Sequence, residues 1–372
     1  MIEFYLPGAR ISHAPDFVKK ENINDALAFY EMLEDYEPTP LIEEKRLAKE
    51  LGLGAVYIKD ESKRFNLNAF KSIGGLYAVY KVICKKANKK LSMSEISEYS
   101  KDMLFVTATD GNHGRSVAYS ANRMSAKSVI FMPKGTAASR VENVNKIPLA
   151  RATVTDKNYD DTVKTAYEFS KENGAYFVQD TSFPGYTEIP GYINTGYCVM
   201  AREALLQAKD FTHVFLQAGV GSMAAAVAAY YDNYMQKKPI CVAVEPTAAP
   251  AVLNSVKEGR ILSVKSADTI MAGLNCQTPS LICFPVLKDV FSAYAAIDDD
   301  AARTGMRVLK KAGIISGESG AATAGLLYTV MTSPAFAGMR KKLKLDKNAK
   351  VLLFSTEGDT DPVNYKKITE GY

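Results

Sequence analysis

Lys71 stands in an unusual setting for a lysine, with Asn66-Leu67-Asn68-Ala69-Phe70 before it and Ser72-Ile73-Gly74-Gly75 after it. Asn68 can cap a helix starting near Ala69, which puts Lys71 in the first turn, where the macrodipole disfavours a positive charge. An ammonium destabilised in this way suits a lysine that must attack a carbonyl or act as a base. The plainer reading is a surface lysine beside a turn, and composition alone favours it. Thr109-Asp110-Gly111-Asn112-His113-Gly114-Arg115 has glycines for a tight strand-to-helix turn. There Asp110 is a helix cap or an acid–base group, Asn112 can donate to an anionic oxygen such as a phenolate, and His113 is equally a hydrogen-bonded structural residue. Ala218-Gly219-Val220-Gly221-Ser222-Met223-Ala224 combines close backbone approach with a helix N-terminus, a setting that favours a phosphate. The same spacing is also G-x-G-x-x-A, and Glu245 lies some two dozen residues on, as in a dinucleotide fingerprint. Taken alone, that stretch favours an NAD-dependent dehydrogenase as much as a phosphate cup.

These segments need a scaffold that gathers them. Candidate strands are Val56–Lys59, Met103–Ala108, Ser128–Met132, Ala152–Thr155, Ala175–Gln179, His213–Gln217, Ile240–Val244 and Lys350–Phe354. Helical periodicity fills the stretches between them, as in Gly114–Arg123, Tyr159–Lys171, Tyr192–Leu206, Ser222–Tyr234 and Thr323–Met331. Such alternation predicts an α/β protein with mostly parallel twisted sheets flanked by helices. Two series of units separate at Thr181–Gly191, which carries Pro184, Gly185, Pro190 and Gly191. The expected division is a large domain of 1–75 and 191–372 and a small one of 76–190. Ligands in open α/β sheets bind beyond the carboxyl ends of strands, and most of the chemically interesting segments follow a candidate strand. Asp180 closes Ala175–Gln179, and Ser355-Thr356-Glu357-Gly358-Asp359 follows the last strand. Ser316-Gly317-Glu318-Ser319-Gly320 offers small residues for packing under a flat ligand.

Composition removes several function classes. The chain has 372 residues, a net charge of +5 and two lysine-rich stretches, 81–90 and 340–350, without interleaved aromatics. Those stretches read as solvated helix faces, so no nucleic-acid partner is expected. No apolar run approaches the ~20 residues of a membrane span, and no signal peptide is visible, so a cytoplasmic location is expected. Five cysteines without C-x-x-C spacing and three histidines without helical ligand spacing argue against disulfides and against a metal site.

Nine segments in order, from residues 59–75 to 355–361, resemble the fold-type II pyridoxal-phosphate enzymes, which include serine and threonine dehydratases and the tryptophan synthase β chain. Those that carry most are KDESKRFNLNAFKSIGG, TATDGNHGR, QDTSFPGYTEIP, QAGVGSMA, SGESGAA and STEGDTD. Within that group the closer likeness is to diaminopropionate ammonia-lyases. The resemblance implies a tryptophan synthase β-like fold of two lobes with pyridoxal 5'-phosphate at their interface, and a homodimer. On it, Lys71 matches the Schiff-base lysine, with Phe70 beside it among the cofactor-binding residues. Gly219, Val220, Gly221 and Ser222 match the phosphate cup, Asn112 the partner of the cofactor's 3-oxygen, and Ser355 the hydroxyl facing the pyridine nitrogen. Asp110 and Asp180 match the two aspartates credited with acid–base work.

The implied reaction is α,β-elimination of ammonia from 2,3-diaminopropionate, in either enantiomer, to give pyruvate and ammonia. A serine or threonine dehydratase is the rival within the fold, and the NAD-dependent dehydrogenase the rival outside it. A silent cofactor-binding protein is disfavoured by the joint presence of Lys71, Asp110 and Asp180. The chain departs from the pattern at Phe183 and Tyr192, where the family often has tryptophan, and along 275–284.

Overall fold

The computed structural model describes residues 2–109 and 111–371. Its strands are β1 (Ile2–Tyr5), β2 (Leu41–Glu43), β3 (Ala55–Asp60), β4 (Leu104–Ala108), β5 (Lys127–Met132) and β6 (Ala150–Val154), then β7 (Tyr176–Phe177), β8 (His213–Gln217), β9 (Ile240–Pro246), β10 (Ala293–Ile297) and β11 (Lys350–Ser355). They form a seven-stranded sheet in the order β1-β10-β9-β8-β11-β3-β2 and a four-stranded sheet in the order β6-β5-β4-β7.

Two compact units contain them. One comprises Met1–Val18, Glu37–Phe70 and Met200–Tyr372; the other comprises Lys19–Tyr36 and Lys71–Val199. The sequence expectation broke the chain after 75 and 190, whereas these units break after 70 and 199 and give 19–36 to the second. A physical tie accounts for that last assignment. The helix Lys20–Glu31 lies on Lys71–Ala87, with Phe29 stacked on Tyr80 at 4.4 Å and Asp25 accepting from the Tyr77 hydroxyl at 2.8 Å.

In the first unit the five inner strands are parallel, and the edge strands β1 and β2 run antiparallel to their neighbours. Every residue of β8 and β10 is buried, as expected of strands covered on both faces of a parallel sheet. The chain passes β8, β9, β10 in one direction across the sheet and then returns to place β11 on the other side of β8. The carboxyl ends of β8 and β11 therefore flank a topological switch point, the usual place for a ligand in such a sheet. One core of aliphatic side chains, including Val56, Ile58, Val242, Val244, Val351 and Leu353, underlies this sheet.

The second unit repeats the device on a smaller scale. All its strands are parallel, β4, β5 and β6 run one way, and β7 returns to the far side of β4. Its switch point lies between the carboxyl ends of β4 and β7. Val106, Ala108, Phe131, Ala166 and Phe177 form the core beneath.

Candidate active site

The glycine loop of the first unit connects β8 to the helix Ser222–Tyr234. Gly221 is left-handed, with φ +87°, and a β-carbon there would run into Leu287. A β-carbon on Gly219 would come within 2.9 Å of Cys276 Sγ and 3.1 Å of the Gly273 carbonyl. The Val220 carbonyl accepts from Ser280 N at 2.8 Å, which pins the loop between its glycines. Behind it, Gln217 donates to the carbonyls of Gly320 and Phe354 at 2.8 and 2.7 Å. The result is a backbone cradle at the start of a long helix, the chemistry that holds a phosphate. Ser222 opens that helix and is buried.

Ser355 ends β11, where it is buried and donates to Ser316 Oγ at 2.8 Å. Phe70 N donates to the Thr356 carbonyl at 3.0 Å, and Gly358 N to the Asn68 carbonyl at 3.0 Å. Asn68 is left-handed (φ +57°) and its side-chain amide reaches Asp359 at 3.1 Å. It therefore ties two loops together instead of capping a helix at Ala69, and Lys71 is the first residue of its helix, Lys71–Ala87. Upstream, a fully buried ionic group anchors the approach to Lys71. Arg64 donates to Glu61 at 2.8 and 2.9 Å and to Glu203 at 2.7 and 2.9 Å, and Lys59 pairs with Glu203 at 2.8 Å. Glu357 accepts from Ser319 N at 3.1 Å. Sequence reasoning places Glu357 in the polar turn after the last strand but gives no sign of the Arg64 group beyond the charged residues at 59–64.

The second unit brings together Lys71, Asp180 and His113. Lys71 Nζ forms an ion pair with Asp180, and His113 Nδ1 lies 3.8 Å from the same carboxylate. Burial alone would raise the Asp180 carboxyl, but the charge of Lys71 and its hydrogen bond outweigh it, so Asp180 falls below the usual carboxylate range. Asp180 owes its place to Gln179, whose side chain accepts from Thr107 Oγ1 at 2.6 Å and locks the end of β7 to β4. Asn112 begins the helix Asn112–Arg123 at the end of β4. Asp110 lies outside the described residues. At the two positions where this chain departs from the family's tryptophans, Phe183 stacks on Tyr186 at 5.0 Å and Tyr192 donates to Glu188 at 2.7 Å.

The dinucleotide alternative fails on Glu245. Its two carboxylate oxygens accept from the amides of Val252 and Leu253 at 2.7 and 2.8 Å, so it caps the helix Ala251–Glu258 in a buried position. A ribose would need that carboxylate exposed in the crevice. Among the described residues no cluster with metal-ligand composition occurs, and no helix is long and apolar enough to cross a membrane.

A parallel sheet with its glycine cradle at the switch point defines an α/β protein built to hold a phosphate. The family model described as "Pyridoxal-phosphate dependent enzyme" matches residues 32–356. A diaminopropionate ammonia-lyase of Salmonella typhimurium is 42% identical, over 93% of this chain and 91% of its own length. The crystal structure of the Escherichia coli diaminopropionate ammonia-lyase in complex with D-serine superposes with a TM-score of 0.94, at 38% identity, covering 100% of this chain and 97% of that one. The same enzyme bound to an aminoacrylate-PLP azomethine reaction intermediate superposes at 0.92. This chain belongs to the diaminopropionate ammonia-lyase family of pyridoxal-phosphate dependent enzymes.

Proposed function

We propose that this protein eliminates the β-amine of 2,3-diaminopropionate, of either enantiomer, with one water consumed to give pyruvate and two molecules of ammonia. The Lys71–Asp180 pair carries the reading, because it sets a half-buried amine beside an ionised carboxylate at a switch point. Lys71 would bind the cofactor's aldehyde carbon, with Phe70 beside it. Gly219, Val220, Gly221 and Ser222 would take the phosphate, Asn112 the 3-oxygen and Ser355 the pyridine nitrogen. Pyridoxal phosphate, when bound, supplies an electron sink for the pair left behind when the α-proton is removed.

The chain's own groups do the proton work. Lys71, once freed as an amine, takes the α-proton from one face, and Asp110 takes it from the other. Asp180, ionised at neutral pH, binds the β-ammonium and orients it for departure as ammonia. A serine or threonine dehydratase has no such second cation to hold. The protein acts as a homodimer in the cytoplasm on a small amino acid.

A visible spectrum taken before and after addition of 2,3-diaminopropionate, with pyruvate assayed in the same cuvette, tests the proposal. A yellow protein whose band shifts as pyruvate accumulates supports it. Faster turnover of L-serine or L-threonine than of 2,3-diaminopropionate transfers the chain to the dehydratases, and a protein that stays colourless with added pyridoxal phosphate overturns the role of Lys71.

A further inference from the structure

His113 is a buried titratable group for which the elimination chemistry has no task. It sits in the first turn of the helix Asn112–Arg123, and its Nε2 lies 2.9 Å from the Val178 carbonyl oxygen. A carbonyl only accepts, so Nε2 carries the hydrogen and the neutral ring offers its lone pair at Nδ1. That Nδ1 is buried, has no hydrogen-bond partner among the described residues and lies 3.8 Å from Asp180 Oδ2. Asp180 is in turn paired with Lys71. Among the described residues, Lys71 and Asp180 are the charged groups whose fields reach the imidazole.

Two acceptors facing one another gain nothing. Adding a proton at Nδ1 turns the same contact into a charge-assisted hydrogen bond. The state of Lys71 decides whether that proton is welcome. While the ammonium stands on Asp180, the carboxylate is compensated and a second cation beside it is repelled. Once the lysine nitrogen is neutral, the buried carboxylate loses the cation that compensates it, which is costly.

We propose that His113 is the proton store of the Lys71–Asp180 pair, taking up at Nδ1 the proton that Lys71 gives off when it becomes a free amine. One N–H bond breaks at Nζ and leaves its electron pair on the lysine nitrogen. One N–H bond forms at Nδ1 from the imidazole lone pair, the positive charge moves from lysine to histidine, and Asp180 stays a carboxylate between them. His113 is thus a positioning residue that acts through Asp180 and spares Lys71 from releasing its proton to bulk solvent. Burial, aided by the Lys71 charge, keeps the imidazole neutral in the resting state, against the pull of Asp180.

The inference rests on Lys71 being the reacting amine, and its test needs neither cofactor nor substrate. The chain has only three histidines, His13, His113 and His213, so imidazole nitrogen NMR of the full-length, cofactor-free protein resolves each, with H113Q fixing the assignment. In K71A the protonation midpoint of His113 is expected at least one pH unit above that of the wild type. In K71A/D180N that rise disappears, while the His213 midpoint is the same in all variants and reports the fold. Equal His113 midpoints in wild type and K71A, or a rise that survives in K71A/D180N, would overturn the proposal. Failure of the Lys71 reading itself shows instead in the absorption spectrum.

Discussion

Asp180 is nearly inaccessible to solvent and still ionised, because the cation beside it outweighs the desolvation that burial imposes. Its folded-state affinity for a proton is therefore lower than that of an unfolded aspartate. Stability from this source is present above the unfolded value of about 4 and is lost as pH falls. Asp180→Asn removes that component, so the acid limb of its urea-midpoint profile should be shallower than that of the wild type. The same substitution should lower kcat/KM for 2,3-diaminopropionate more than for L-serine, because the β-ammonium loses the carboxylate that binds it. Asp110→Asn is expected to slow one enantiomer of 2,3-diaminopropionate far more than the other, and equal losses would sink the assignment of two bases to two faces. Steady-state assays with each pure enantiomer read this directly.

The elements that carry these residues differ in how openly the sequence announced them. The strand His213–Gln217 and the helix Ser222–Tyr234 were legible to the residue, since two glycines punctuate the passage between them and every position in the strand is buried. Strand β10 was not. Its residues Ala293-Tyr294-Ala295-Ala296-Ile297 are alanine-rich, a helical preference that burial between β9 and β1 overrides. Asn68 was read as a cap from its residue type, but the structure spends its side chain on Asp359, far along the chain. The Arg64–Glu203 contact spans 139 residues, and no local pattern encodes a separation of that size. Two predictions belong at this scale. Gly221→Ala forces a left-handed alanine at a cost of about 1–2 kcal/mol and displaces Leu287, so pyridoxal-phosphate affinity, measured by fluorescence titration, should fall together with the melting temperature. Glu203→Gln leaves Arg64 and Lys59 undercompensated in the interior, and chemical denaturation should show a loss of about 3–5 kcal/mol.

For the molecule as a whole, carboxylates with opposite histories bound the pH range of stability. Asp25, Asp35, Asp180 and Glu203 sit below their usual values through lysine or arginine partners, so their contributions vanish as the solution is acidified. Burial pushes Glu245 up to about 8, so it folds protonated and its contribution is lost as pH rises through that value. A urea-midpoint profile should accordingly fall on acidification, while the Glu245 component declines upward from the unfolded carboxyl range and is exhausted by about pH 8. The seven-stranded sheet has a second consequence, for engineering rather than chemistry. The residues assigned to the cofactor in this unit lie at or beyond the carboxyl ends of strands, whereas the turn at Lys347 and Asn348 lies at the amino end of β11 and is exposed. A reporter domain spliced between those two residues would hang from the opposite rim of the sheet, making the enzyme a ready carrier for a fused sensor that leaves its catalysis intact.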